Sequence, residues 1–314
     1  MPLARARLYD RCDGVYRAYQ RMKKPLKLSL IGAGRVGQTL GHLGCQAEYT
    51  IADIVCRSRR SAITAARFIG AGTSQAASGA YLQAADIVFI ATPDDRIGEA
   101  LALLAENAGR IGRAAVLHTS GALSSTDIAT LRPLGFAVGS CHPLQTFESP
   151  RQAIKVMRQS YFCVEGDQRA VRAARTFVRR IGAQAFEIPT AMKPLYHAAA
   201  VMASGGVTAL LSASLDALRH CGLDKATARR VLLPLSEATL ANVRAVGPQR
   251  ALTGPVRRGD VGTVQRNLAA LAAIDSQWLA IYRLLAAQSL RLIEPQTDRA
   301  LLAALRRLLK DNSH

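Results

Sequence analysis

The sequence predicts an α/β chain in which a doubly wound parallel sheet is followed by an all-helical C-terminal domain. Three observations carry that expectation. A glycine loop, Gly32-Ala33-Gly34-Arg35-Val36-Gly37, directly follows the apolar run Leu26 to Ile31. Short apolar runs then alternate with helical patterns as far as residue 189. After Pro189 the period-2 and short-run patterns stop and only helical periodicity remains.

Taken in order, strands are expected near 26–31, 50–56, 86–91, 114–118, 136–140, 160–164 and 185–188, with helices at 34–44, 60–69, 95–107, 125–132 and 168–181. Helices are expected at 194–220, 224–245, 260–273, 275–292 and 297–310, with a Gly-, Pro- and Arg-rich linker at 246–259. The domain reading is a basic leader over 1–24, a dinucleotide-binding domain over 25–189 and a helical substrate and dimerisation domain over 190–314. The leader holds seven basic and two acidic residues and has no apolar segment like a secretory signal. Met22 stands just before the first strand, so an upstream start is one reading of the leader, which is expected to be poorly ordered.

The net charge is +19, yet 34 of the 41 basic residues are Arg spread along the chain, and only 5% of residues are aromatic. Nucleic-acid binding is therefore not expected, and the charge is read as attraction of an anionic cofactor and substrate. Six cysteines are scattered without a CxxC pair or metal-ligand spacing, which predicts a reduced cytoplasmic protein with no metal site. The uncharged stretch from Pro194 to Leu215 is long enough to span a bilayer. Its Ala, Ser, Gly and Thr content predicts instead a helix buried at the centre of a domain. That helix is longer than a small domain needs, so it is expected to pack against a second subunit in a homodimer.

The glycine loop carries the first chemistry. Strand, tight glycine turn and helix N-terminus together cradle a pyrophosphate, which places Gly32, Gly34, Arg35, Val36 and Gly37 against a dinucleotide. About twenty residues on, an NAD-specific protein would carry an acid. Here the chain reads Arg57-Ser58-Arg59-Arg60, so Arg57, Ser58 and Arg59 are expected to meet the 2′-phosphate of NADP. NAD in its place is the alternative that turns on those arginines.

Ala91, Thr92 and Pro93 end a strand on the ligand side and should flank the nicotinamide. Asp94 is read as the cap of the next helix, the other reading being an acid/base pair with Asp95. Ser120 and Gly121 lie at the same sheet edge. The Ser120 hydroxyl either holds a substrate carboxylate or carbonyl, or makes a turn hydrogen bond. Ser124 to Asp127 has the pattern of a helix N-terminus, and His118 is read as a satisfied core histidine.

His142, held before Pro143, has an ordinary pKa suited to proton delivery, a structural turn histidine being the alternative. Cys141 is read as buried. At the domain junction Lys193-Pro194-Leu195-Tyr196-His197 puts Lys193 and His197 four residues apart at a helix start. Lys193 is the second proton-donor candidate. Arg257 and Arg258 suit either an anion clamp or a subunit contact, and Asp260 a helix cap.

In chain order, GAGRVG, ATPDD, HTSGALSS, GSCHPLQTF, KPLYHAAAVMAS and LTGPVRRGD resemble an uncharacterised group of predicted oxidoreductases. That group has a Rossmann-like N-terminal domain and a C-terminal helical domain of unknown function. The resemblance runs from about Leu28 to about Leu271, and where that family commonly has Asn after Met-Ala-Ser this chain has Gly205. More distantly the layout is similar to β-hydroxyacid dehydrogenases, ketopantoate reductase, pyrroline-5-carboxylate reductase and deazaflavin-dependent NADP oxidoreductases. The Lys193, Tyr196, His197 order is similar to the Lys-x-x-His-Asn run of 6-phosphogluconate dehydrogenase, which implies an acid/base role for Lys193. The GSCHP run is similar to the GSHP segment of prephenate dehydrogenase, which implies a substrate contact for His142.

The resemblances imply an NADP(H)-dependent oxidoreductase acting on a small carbonyl, imine or hydroxy acid. The catalytic candidates are Lys193, His142, His197 and Ser120. A nucleotide-binding redox sensor or scaffold without turnover and a deazaflavin-dependent NADP oxidoreductase are the alternatives.

Overall fold

The computed structural model describes residues 25–293 and 298–310. The leader expected over 1–24 lies outside them, as does Cys12. The chain divides into two compact units, one ending at Met202 and the other beginning at Ala203. That division falls inside a helix, about a dozen residues past the boundary expected near 189.

The first unit is built on an eight-stranded sheet: β1 (Lys27–Ile31), β2 (Thr50–Cys56), β3 (Thr73–Ala76), β4 (Ile87–Ile90), β5 (Ala115–His118), β6 (Ala137–Pro143), β7 (Tyr161–Gly166) and β8 (Gln184–Glu187). Their order is β3-β2-β1-β4-β5-β6-β7-β8. All neighbours are parallel except β6 and β7, which run antiparallel. The order reverses between β1 and β4, the switch point at which open α/β sheets take their ligands.

The helices of this unit are α1 (Arg35–Gln46), α2 (Arg59–Ile69), α3 (Ile97–Glu106), α4 (Ala108–Ile111), α5 (Pro150–Met157), α6 (Gln168–Arg180) and α7 (Lys193–Val201). Two apolar layers cover the two faces of the sheet. On one face Leu28, Leu30, Phe89 and Leu117 pack with Leu40, Leu43 and Phe177. On the other, Ile31, Val88, Ile90 and Val116 pack with Leu103, Leu104, Ile128 and Leu131.

Three differences from the expected elements have local causes. β3 was not anticipated because Thr-Ser-Gln-Ala is polar; it is an edge strand held by pairing with β2. α5 follows a stop-and-start signal in which Ser149 accepts from Gln152 N and Pro150 opens the first turn. The segment expected as a helix over 125–132 is 3₁₀ over Ser125–Leu134, with Pro133 inside it and Ile128 off helical geometry.

In the second unit α8 (Val207–His220), α9 (Lys225–Ala251), α10 (Pro255–Arg258), α11 (Val261–Ala272), α12 (Ser276–Ile293) and α13 (Arg299–Leu309) are all helical. Val256, Val264, Leu268, Leu290, Ile293, Leu302 and Leu305 form its core. Asp260 caps α11 by accepting from Thr263 N at 2.9 Å. Gly247, at φ 76°, leaves helical geometry and kinks α9 close to its expected end near 245, and a short helical turn continues from Pro248 to Ala251.

The helix expected to be buried at the centre of a domain is not buried. From Thr190 to His220 the chain is helical throughout, with a π-helical stretch over Met202–Gly206, and none of its most apolar window is buried. It is, by length and composition, apolar enough to cross a membrane. Met202 is 74% exposed and Leu195 69%. Small side chains allow close packing, and within the second unit α8 packs against α9 without burying any of its own residues.

Candidate functional site

The glycine turn after β1 explains its own sequence. Gly32 has φ +85° and lies so close to Ala91 that a Cβ would sit 2.7 Å from the Ala91 and Thr92 backbone. A Cβ on Gly37 would overlap the Gly32 carbonyl oxygen, so this glycine lets α1 start tight against the turn. Around Gly34 the space is open, with nothing within 4 Å of where a side chain would begin. One glycine makes the turn, one closes the packing, and the middle one leaves open space at the helix N-terminus.

That cradle is part of a cleft of about 750 Å³. Gly32, Gly34, Arg57, Ala91, Thr92 and Pro93 line it. Other expected cofactor residues do not. Arg35 donates to the Phe147 carbonyl at 3.2 Å, and Val36 and Gly37 face inward on α1. Ser58 is the N-cap of α2 and accepts from Ser61 N at 3.2 Å. Arg59, the first residue of α2, does not line the cleft, whereas Arg60, Ser61 and Thr64 do. The basic pair beside the end of β2 is thus Arg57 and Arg60. Two basic side chains therefore line the cleft, Arg60 in place of the expected Arg59.

Past Pro93 the sheet edge carries a second group of residues. Asp94 does not cap a helix; its carboxylate accepts from Ser120 Oγ at 2.8 Å. Ser120 Oγ also accepts from Ala122 N at 3.2 Å and Leu123 N at 3.0 Å. Of the two readings of this hydroxyl, the structure shows the turn hydrogen bond. That turn presents Gly121, where a Cβ would overlap His197 Nδ1 and stand 2.8 Å from His142 Nε2. Two imidazoles from distant segments thus converge on one glycine. His197 Nδ1 and the Thr92 hydroxyl are buried without a hydrogen-bond partner among the described residues.

Burial, followed by the nearby Lys193 charge, pushes His142 down to about 3. At neutral pH it is an uncharged imidazole, not the near-neutral titrating acid its type suggested. His142 Nδ1 lies 2.8 Å from the Tyr196 hydroxyl. Burial also lowers His118, to about 4, with Lys193 adding to the effect. His118 is fully buried beside the Ser124 backbone, and among the described residues neither ring nitrogen meets a partner at full hydrogen-bonding distance and angle, so it is the core histidine expected but not a well-satisfied one.

Lys193 opens α7 and is fully buried. Its Nζ donates to Ser140 Oγ at 2.5 Å and lies 5.5 Å from the Tyr196 ring centroid. Burial lowers its pKa. Ser140, in β6, had no distinguishing sequence signal; only the pairing of strands brings it under Lys193.

Glu165 was also missed. Buried in β7, its carboxylate accepts from Ser125 N at 2.8 Å, Ser125 Oγ at 2.7 Å and Thr190 Oγ1 at 2.8 Å. It joins the segment after the Ser120 turn to the segment that leads into Lys193. Glu165→Ala would leave these donors unpaired, at about 1–3 kcal/mol for each buried group. A melting temperature lower by about 10 °C is expected, with Glu165→Gln losing about half as much. Unchanged melting in both variants would show that the carboxylate holds nothing together.

No curated protein matches the sequence. Among solved structures, a protein of Thermotoga maritima is 27% identical, with TM-score 0.69, covering 86% of this chain and 99% of its own. An imine reductase from a Pseudomonas species is similar at 16% identity and TM-score 0.60, covering 91% of this chain and all of its own. A pyrroline carboxylate reductase of Plasmodium falciparum, solved with NADP bound, is similar at 13% identity and TM-score 0.56, over 91% of this chain and 98% of its own. Residues 17–145 match the Rossmann-like domain family, and residues 160–289 match the family described as Domain of unknown function (DUF2520). The chain thus matches a Rossmann-like domain followed by a DUF2520 domain, the two-part arrangement that its motifs resemble.

Proposed function

We propose that the protein is an NADP(H)-dependent oxidoreductase that moves a hydride to or from a small carbonyl, imine or hydroxy acid. The observation that carries this reading is the continuity of one sheet edge. An open glycine cradle with Arg57 and Arg60 leads through Thr92 and Asp94 to the Gly121, His142, His197 group. The cradle fits a dinucleotide: its middle glycine leaves room for a pyrophosphate, and its basic pair suits a phosphorylated ribose. The nicotinamide group would supply the hydride. The chain's own residues would orient the substrate and place hydrogen bonds at the reacting oxygen or nitrogen. Lys193, buried against Ser140, is suited to hold β6 and α7 in register and to add positive potential beneath the site.

Calorimetry with NADPH and NADH, followed by NADPH oxidation over a panel of keto acids, imines and hydroxy acids, tests the proposal. Tight NADPH binding and turnover with one class are expected. Absence of heat with either coenzyme would end it. Binding without turnover across the panel would favour a sensor, and NADPH formation from reduced deazaflavin would favour that exchange reaction.

The same reading includes a homodimer through the C-terminal helices, in a reducing cytoplasm that suits the five free cysteines among the described residues. Val231, Leu235, Val243 and Val246 recur at helical spacing on α9 and are exposed, Leu235 by 65%. Soluble single chains rarely leave so large an apolar face open. Light scattering is expected to give twice 33.6 kDa, and Leu235→Glu to shift the protein toward monomer. A wild-type monomer, or partition onto lipid vesicles, would contradict the dimer.

A further inference from the structure

We propose that His142 works as a neutral imidazole whose Nε2–H is the hydrogen-bond donor offered to the ligand, and that Tyr196 is the positioning residue that fixes this tautomer. The catalytic consequence rests on the oxidoreductase reading; the tautomer itself does not.

The geometry starts from Tyr196, one helical turn into α7. Its ring meets Phe186 of β8 edge-on, with centroids 5.9 Å apart, and His142 at 5.7 Å and 81°. These contacts hold the phenol oxygen 2.8 Å from His142 Nδ1. A single proton lies along that line, and its ownership decides what the other face of the imidazole can do. If the phenol donates, Nδ1 is the acceptor and the ring's own proton must be on Nε2. If Nδ1–H donates, the phenol proton needs another acceptor, and the adjacent group is the Cys163 thiol, a weak one.

Two electrostatic effects agree with the first arrangement. Burial, with Cys163 alongside, raises the Tyr196 phenol above its ordinary value, so it keeps its proton. Burial and Lys193 keep His142 uncharged, so a lone pair is free on one nitrogen. A phenol is the stronger donor and an imidazole nitrogen the stronger acceptor of the pair. The bond therefore runs from Tyr196 Oη–H to His142 Nδ1.

Nε2–H then lies over Gly121, at the position where any side chain would strike it. A neutral imidazole N–H is too weak an acid to surrender its proton readily. It can donate a hydrogen bond to charge that develops on an oxygen, without supplying the proton itself. Such a donor suits a carbonyl or hydroxyl oxygen, whereas a protonated iminium offers it no lone pair. His197 Nδ1, buried and without a partner beside it, adds a second polar atom at the same place.

The test is ¹⁵N imidazole NMR on the full chain, with the His142 resonance assigned by His142→Gln. At pH 7 the wild type is expected to show His142 neutral and protonated on Nε2, with no titration down to pH 5. Tyr196→Phe keeps the ring contacts and removes the donor, so the Nε2–H to Nδ1–H ratio should fall about fivefold to tenfold, the worth of one hydrogen bond. An Nδ1–H tautomer in the wild type, or titration near pH 6.5, overturns the proposal. So does an unchanged ratio in folded Tyr196→Phe, as judged by its circular dichroism. NADPH affinity, measured separately by calorimetry, is expected to be the same in both proteins. Its absence would count against the oxidoreductase reading while leaving the tautomer result intact.

Discussion

Replacing Arg57 and Arg60 together by Ala is expected to weaken NADPH binding about 100-fold while changing NADH affinity less than about twofold. Each guanidinium would contribute a charge-assisted hydrogen bond to a ribose phosphate, worth about 1.5–3 kcal/mol. Even the lower value for both gives about 3 kcal/mol, which is two orders of magnitude in Kd. Both side chains line the cleft, whereas Arg59, the first residue of α2, does not. Arg59→Ala is therefore the control and should bind both coenzymes as the wild type does. Calorimetry at two salt concentrations checks the assignment, since phosphate contacts weaken with ionic strength. Equal loss of NADPH and NADH affinity in the double variant would place these arginines away from the 2′-phosphate.

Acidification is expected to destabilise the fold between pH 6.5 and 4, with His118 and His142 contributing about equally in that window. Its pKa falls from 6.5 in the unfolded chain to about 4 in the folded one, mainly through burial. In that window the unfolded chain binds more protons, so stability is full above pH 6.5 and is lost as the pH falls toward 4. A shift of this size corresponds to about 3 kcal/mol. His142, lowered to about 3, acts in the same direction and extends the loss to lower pH. His118→Leu removes the titrating ring and its poorly satisfied nitrogens together. Denaturant unfolding at pH 7 and pH 4.5 should show a difference about half as large in the variant as in the wild type, His142 accounting for the rest. The same acid sensitivity in both would exclude His118 as its source.

How far the site was legible follows from the range of the interactions that make it. The glycine turn could be read because all three glycines answer to backbone constraints within a few residues of one another. β2 could be placed over 50–56 because it is a buried apolar run between turn signals. Which arginine joins Arg57 at the cleft, Arg60 and not Arg59, depends on where α2 begins, which the run Arg57-Ser58-Arg59-Arg60 alone does not state. Ser120 and Asp94 were read singly, yet they satisfy each other across 26 residues. The His142–Tyr196 bond spans 54 positions, and Ser140 under Lys193 spans 53.

By itself, the order of residues determined the strand–turn–helix cradle, the doubly wound sheet and the helical C-terminal part. These depend on local backbone freedom and on the period of apolar side chains. Only the tertiary structure decided which polar atoms are already spent, which histidines are uncharged, and which side chains meet at Gly121. Burial and partnership are properties of the surroundings, and strands far apart in the chain provide those surroundings. A residue type states what a side chain can do; its neighbours in space leave it free or occupied.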